Sequence, residues 1–423
     1  MTGDRDTARG EPTATAGEDY DELPYPSMPF AFTQPSRLAA LATLHGLDAP
    51  DPERASVLEL GCASGGNIIP IAARHPEARF LGIDLSQRHI ADGARKARAL
   101  GLTNIELRQG DLTEADFGGE RFDYILCHGV FSWVPRAVQD AILRICRDAL
   151  TNNGLAIVSY NVLPGWHLRG VVRDLCLSHA GSGPPRERVA RARKALAEIA
   201  QSSSETEPYG LMLRDEARKC AQLPSAYILG EFLAAENAPL HFRDFVERTR
   251  RYGLSFLCEA DLGASIAQSQ FSAAERIDAA DQPARLADEQ RRDFVTGRTF
   301  RRSVLVKADR QALPPTEERL RSLHISSSRR AGETGDDIVD RAISRLRDAY
   351  PGTMAVNELI AGDDGRVCAA LLALVEIGQA TVSTLPLAVG GADAERPKVW
   401  PLARIEAAAK QPWLTSQIGR AHV

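Results

Sequence analysis

Residues Val57-Leu-Glu-Leu-Gly-Cys-Ala-Ser-Gly-Gly-Asn67 decide how this chain is read. Val57, Leu58 and Leu60 make a short apolar strand, a run of small residues turns the chain, and a helix follows. Small residues let a backbone approach a ligand closely, and a helix start offers unpaired N–H groups. A dinucleotide-binding loop has the same outline. Glu59 separates the two readings. Its carboxylate, just before Gly61, would repel a pyrophosphate and attract an ammonium. With no clean GxGxxG pattern either, the expected ligand carries a cationic amino-acid group, and a nicotinamide-dependent oxidoreductase is the disfavoured alternative.

Working outward, apolar strands alternate with amphipathic helices from Ser56 to Tyr160, the pattern of a parallel sheet with helical crossovers. Strands are predicted at Ser56–Leu60, Arg79–Asp84, Ile105–Gln109, Phe122–Cys127 and Gly154–Tyr160. Helices are predicted near Gly66–Arg74, Gln87–Leu100 and Ala137–Leu150. The second strand ends at Asp84-Leu85, where a carboxylate can accept both hydroxyls of a ribose. The third ends at Asp111-Leu112, an acceptor and an apolar side chain suited to an adenine. The fourth ends at Cys127-His128-Gly-Val-Phe-Ser-Trp133. A single Asp after a strand is usually a turn or cap residue. Polar residues at the C-terminal ends of successive parallel strands instead mark the place where open α/β sheets bind ligands.

The remainder of the chain frames this core. Its 423 residues, 44% apolar and 25% charged, suit two or three globular domains, and a net charge of −5 argues against a protein that coats nucleic acid. No apolar run reaches the length of about 20 residues that spans a bilayer. Residues 1–19 read as a disordered leader with no secretory signal. Seven scattered cysteines without a CxxC pair fit a reducing cytoplasm, buried packing roles and no metal site. Residues 20–55 read as an N-terminal strap or lid, 56–165 as the cofactor-binding core, 166–238 as a helical insertion, and 239–308 as the end of the sheet. Strands Leu254–Glu259 and Phe300–Lys307 complete that sheet, the last one antiparallel. A Pro-, Ser- and charge-rich linker over 309–335 precedes a small, mostly helical, winged-helix-like domain at 336–417. The tail Ile418-Gly-Arg-Ala-His-Val423 matches the translation of a common sequencing-adapter read and is expected to be non-native.

On these motifs the chain resembles the class I S-adenosylmethionine-dependent methyltransferases, over about Ser56–Ser159. The resemblance implies a Rossmann-like α/β fold and S-adenosylmethionine as cofactor, with S-adenosylhomocysteine as product. It implies that Glu59, Gly61, Ala63 and Gly65 hold the methionine part, Asp84 the ribose, and Asp111 with Leu112 the adenine. Cys62, Asn67, Leu85, Cys127 and His128 complete the candidate cofactor set. Ala63 stands where the family often has glycine. A narrower resemblance rests on Tyr20-Asp-Glu-Leu-Pro-Tyr-Pro-Ser-Met-Pro-Phe30, Cys127-His-Gly-Val-Phe-Ser-Trp-Val-Pro135 and Ser159-Tyr-Asn-Val-Leu-Pro-Gly-Trp-His167. These stretches look like bacterial methyltransferases with a methyltransferase regulatory domain, here about Leu211–Lys307, a group that includes rickettsial protein-lysine methyltransferases acting on outer-membrane proteins.

Methyl transfer from a sulfonium needs in-line alignment more than a strong base, and an amine acceptor must lose only one proton. The candidate catalytic residues are His128, Tyr160 and Asn161, each with a structural alternative as a backbone-bonded or turn-stabilising side chain. The candidate substrate residues are Tyr25 in the strap and Trp133 and Trp166, which could form an aromatic wall for a cation or pack in the core. The expected acceptor is an amine, with a protein lysine as one candidate. A small-molecule hydroxyl or amine, and a non-catalytic S-adenosylmethionine sensor, are the alternatives. The helical insertion is expected to shape acceptor specificity or to form a homodimer.

Overall fold

The computed structural model describes residues 22–23, 27–261, 282–332, 334–362, 365–387, 389, 399–408, 413–416 and 419–422. Seven strands form the main sheet: β1 (Ser56–Leu60), β2 (Arg79–Asp84), β3 (Ile105–Gln109), β4 (Phe122–Cys127), β5 (Leu150–Asn161), β6 (Leu254–Glu259) and β7 (Phe300–Lys307). Their order is β3-β2-β1-β4-β5-β7-β6. The first five pair in parallel, and β7 inserts antiparallel between β5 and β6. The chain therefore reverses its direction of travel between β1 and β4, the switch point where such sheets open a ligand crevice.

Burial follows from the sequence. β1, β4 and most of β5 are apolar runs covered on both faces, whereas the edge strand β3 alternates and stays half exposed. Side chains alternate across β5, so Ile157 joins Val57 on one face and Val158 and Tyr160 join Leu58 on the other. The helix Gln87–Ala99 is started by the Ser86 hydroxyl, which accepts the His89 N–H at 3.2 Å. It buries Gly93, where an added Cβ would overlap Leu107. The predicted core strands agree closely, except that β5 begins four residues earlier and runs through Asn161. The first helix begins at Ile68 and not at Gly66, because Gly65 and Gly66 still belong to the turn. All seven cysteines are free and buried.

The chain divides into two compact units. The described part of one holds Glu22, Leu23 and residues 167–237. The helices Pro185–Ser202, Pro208–Gln222 and Ser225–Phe232, with most of Gly165–Ala180, enclose Val172, Cys176, Leu196, Leu213 and Phe232, and Leu23 joins that core.

The other unit holds the sheet and everything described from Ala238 onward. Here the predicted linker over 309–335 needs correction. It contains the helix Glu317–Arg321 and the strand β8 (His324–Ser326), which pairs antiparallel with β9 (Met354–Ala355) and β10 (Thr381–Ser383). Prolines, serines and charges dominate its composition, yet Leu320, Leu323 and Ile325 are buried in the same core as Leu38 and Val57. Paired bonds between His45 and Leu313, N–H to carbonyl at 2.8 Å and Nδ1 to carbonyl at 2.9 Å, fasten its start. The helices Asp337–Ala349, Val356–Leu359 and Arg366–Glu376 pack on this three-stranded sheet. A last hairpin joins β11 (Trp413–Ser416) to β12 (Gly419–His422). Among the described residues no helix is long and apolar enough to cross a membrane.

Candidate active site

The turn after β1 is shaped by three residues in the left-handed region, Gly61 (φ 71°), Ala63 (φ 46°) and Gly65 (φ 72°). A Cβ on Gly61 would overlap Val130, and one on Gly66 would overlap the Ser27 carbonyl. The backbone N–H groups of Gly61 and Cys62 donate to the Ile83 carbonyl at 2.8 and 3.0 Å, which fastens the turn to β2. Ala63 is an unfavourable residue for such a φ. Its N–H donates to Asp84 Oδ2 at 2.8 Å, and that bond holds the conformation.

Glu59 lies beneath this turn, 5% exposed. One oxygen, Oε1, accepts the Asn67 Nδ2–H at 2.8 Å, while Oε2 is buried without a hydrogen-bond partner. Burial pushes its pKa up to about 8, against the hydrogen bond from Asn67 and the pull of the Ile68 N–H, and with help from the nearby Asp84 charge. A buried, half-satisfied carboxyl beside a turn that excludes Cβ atoms fits a small cationic group such as an amino acid's ammonium.

Asp84 ends β2. Its Oδ1 accepts the Ser86 N–H at 2.9 Å and lies 3.5 Å from His89 Nδ1. Leu85 beside it is 69% exposed. Asp111 is exposed, and its Oδ1 accepts both the N–H and the hydroxyl of Thr113 at 2.8 Å, a turn arrangement. Leu112 is 8% exposed and packs with Leu60 and Ile83.

At the end of β4, Cys127 is fully buried and His128 sits among aromatic rings. Phe30, Phe32 and Phe300 approach its imidazole edge-on, with centroids at 4.2, 4.9 and 5.8 Å. Its Nδ1 hydrogen-bonds Ser159 Oγ at 2.9 Å, and the same oxygen accepts the Gly129 N–H at 2.8 Å. Burial, with the Arg302 guanidinium nearby, lowers the His128 pKa to about 3, so the ring is neutral at physiological pH. Arg302 itself lies over Phe32 at 4.5 Å.

The structure separates the other sequence candidates. Tyr160 is fully buried, stacks on Phe245 at 3.9 Å, and hydrogen-bonds Ser303 Oγ at 3.2 Å. Burial raises its pKa. Its place is the core face opposite Ser159, which corrects the expectation that it follows the strand into the site. Asn161 is 2% exposed, and its backbone N–H donates to Ser132 Oγ at 2.8 Å. Trp166 is 2% exposed and meets the half-buried Trp133 edge-on at 5.8 Å. Tyr25 lies outside the described residues.

Four neighbours of the site escaped the sequence reading: Ser27, Thr33, Ser159 and Arg302. Ser27 and Ser159 lie within the motif stretches quoted above, and Ser159 also shares the alternation of Ile157.

A family model described as a methyltransferase domain matches residues 57–154, and one described as a predicted methyltransferase regulatory domain matches 224–307, a later start than the expected Leu211. The chain is 39% identical over 303 residues to the uncharacterized protein RP789 of Rickettsia prowazekii, spanning 71% of this chain and 54% of that protein. It is 35% identical over 234 residues to RP028 of the same organism, covering 94% of that protein and 55% of this one. This chain thus spans only about half the length of the first of these relatives. The solved structure of PKMT2 from Rickettsia typhi in complex with AdoHcy superposes with a TM-score of 0.82 at 25% identity, over 95% of this chain and 86% of that one. The order of the seven strands, the acidic glycine-rich turn and these matches place the chain in the family of class I S-adenosylmethionine-dependent methyltransferases that carry a methyltransferase regulatory domain.

Proposed function

We propose that this protein transfers a methyl group from S-adenosylmethionine to an amine, with a protein lysine as acceptor. The observation that carries the cofactor half is Glu59: a buried carboxyl with one oxygen bonded to Asn67 and the other unpartnered. The unpartnered oxygen receives the ammonium of the cofactor, and the turn Gly61-Cys62-Ala63-Ser64-Gly65 admits its backbone closely. Asp84, with lone pairs left after two backbone bonds, takes the ribose hydroxyls. The exposed Leu85 offers the adenine an apolar surface, and Asp111 Oδ2 its acceptor. Leu112 and Cys127 shape the site from the core.

Bound S-adenosylmethionine supplies an activated methyl and a good leaving group. The chain's own residues then have to bind, align and exclude water. His128 supports the amine reading. An imidazole held neutral by burial can orient a free amine through the nitrogen not engaged with Ser159. Trp133 supplies an aromatic face for a lysine stem. Tyr160 and Trp166 are left to the core.

The lysine acceptor is supported by the resemblance to the group containing rickettsial protein-lysine methyltransferases and by the likeness to PKMT2. The test is incubation with methyl-labelled S-adenosylmethionine and cell lysate, separated into macromolecular and small-molecule fractions. Label is expected in the protein fraction. Label confined to small molecules would overturn the acceptor, and no transfer to any fraction would leave a sensor.

A further inference from the structure

The turn after β1 and the strap Ser27–Thr33 meet on one side chain. Asn67 is 4% exposed and uses both ends of its amide. Nδ2 donates to Glu59 Oε1 at 2.8 Å, while Oδ1 accepts the Phe30 N–H at 3.0 Å and lies 2.9 Å from the Thr33 hydroxyl, whose one proton it shares with the Phe30 carbonyl at 2.8 Å. These bonds fix which way the amide faces, since a carboxyl oxygen calls for a donor and the N–H and O–H call for an acceptor. Thr33 is fully buried. The other end of the strap rests on the turn itself, where Ser27 Oγ accepts the Gly66 N–H at 2.8 Å. Between these two anchors the strap carries Phe30 and Phe32 against His128.

We infer that Asn67 is a positioning residue that couples occupancy of the ammonium site at Glu59 to the seating of the strap Ser27–Thr33. The inference rests on the reading of Glu59 given above. An ammonium on Oε2 displaces the Glu59 proton to solvent and leaves a carboxylate. A carboxylate draws a stronger hydrogen bond from Asn67 Nδ2 than a carboxylic acid does. The polarised amide then makes Oδ1 a better acceptor for Phe30 and Thr33, as in any chain of hydrogen bonds inside a protein. The coupling is reciprocal, so a strap that cannot bond Asn67 must weaken cofactor binding. Because Phe30 and Phe32 frame His128, the same linkage orders the acceptor end once the cofactor is in place.

The test uses the full chain, S-adenosylhomocysteine, calorimetry and amide hydrogen exchange. In the wild type, ligand should slow exchange of the Phe30 amide. Thr33→Val removes the hydroxyl and its contacts to Asn67 and the Phe30 carbonyl without touching Glu59. It should lower affinity by up to about threefold, since the bond exists without ligand and only its strengthening counts, and lose most of the ligand-induced protection. Thr33→Ser should restore both. Gly66→Ala displaces Ser27 from the opposite anchor, leaves Asn67 and Glu59 intact, and should give the same paired losses. Wild-type affinity and protection in Thr33→Val or Gly66→Ala would overturn the coupling, as would a wild type that binds ligand with no change at Phe30. Failure of the wild type to bind S-adenosylhomocysteine at all would instead bring down the assignment of Glu59, and the coupling with it.

Discussion

Replacing Glu59 with Gln should change both stability and cofactor binding, in opposite directions. The folded protein holds this carboxyl protonated up to pH about 8, against 4.5 for an unperturbed one. The unfolded chain binds fewer protons between those values, so stability falls as pH rises through the window, by about 1.4 kcal/mol per pH unit and about 3 kcal/mol in all by pH 7. Below pH 4.5 both states are protonated and the penalty vanishes. Glu59→Gln keeps an acceptor for Asn67 and cannot ionise. Urea midpoints at pH 5.5 and 7.5 should therefore differ much less in the variant than in the wild type. Binding runs the other way. An ammonium needs the carboxylate, so S-adenosylhomocysteine should expel nearly one proton from the wild type at pH 7, read by calorimetry in buffers of different ionisation enthalpy. The variant should expel none and bind about ten- to a hundredfold more weakly, the scale of a hydrogen bond to a charged group. Equal affinity in the two proteins, or no proton release by the wild type, would refute the reasoning.

Three further outcomes follow from the geometry. Asp84→Asn should weaken S-adenosylhomocysteine binding about tenfold or more by calorimetry, since it removes the charge that accepts the ribose, the amide oxygen keeping the Ala63 bond at the expense of the Ser86 one. Tyr160→Phe should leave turnover within about twofold in the labelled-methyl assay, because the hydroxyl bonds only Ser303 in the core. Arg301→Met should cost about 3–5 kcal/mol in urea denaturation: Arg301 is fully buried among Glu259, Glu289 and Asp293, at 2.8–3.0 Å, and its loss leaves buried carboxylates uncompensated. Burial already pushes Asp293 up to about 6, so that loss should grow as pH rises through this value.

The sheet was legible because its strands are short apolar runs ending in turn residues, and each run has one natural partner in a parallel α/β order. Glu59, Asp84 and Asp111 could be placed for the same reason, since a strand's C-terminal end is visible in sequence. Tyr160 falls on the opposite face because side chains alternate along β5. It cannot share a face with Ser159, and Ser159 is the residue that meets His128. Asn67 was picked out as a cofactor neighbour, but its double role depends on the strap, which lies more than thirty positions away in sequence. Such a contact leaves no local periodic signal. The segment over 309–335 was read from composition, where three buried side chains, Leu320, Leu323 and Ile325, are outvoted by polar neighbours.

The central claim is methyl transfer to a lysine amine of a protein. The direct measurement is the chemical form of the methyl label on protein after the reaction, followed through mild base and then total acid hydrolysis with amino-acid analysis. The account predicts base-stable label recovered as N-methyl-lysine, lost in Glu59→Gln at limiting cofactor. Base-labile label, as from a methyl ester, or label on any residue other than lysine would contradict it.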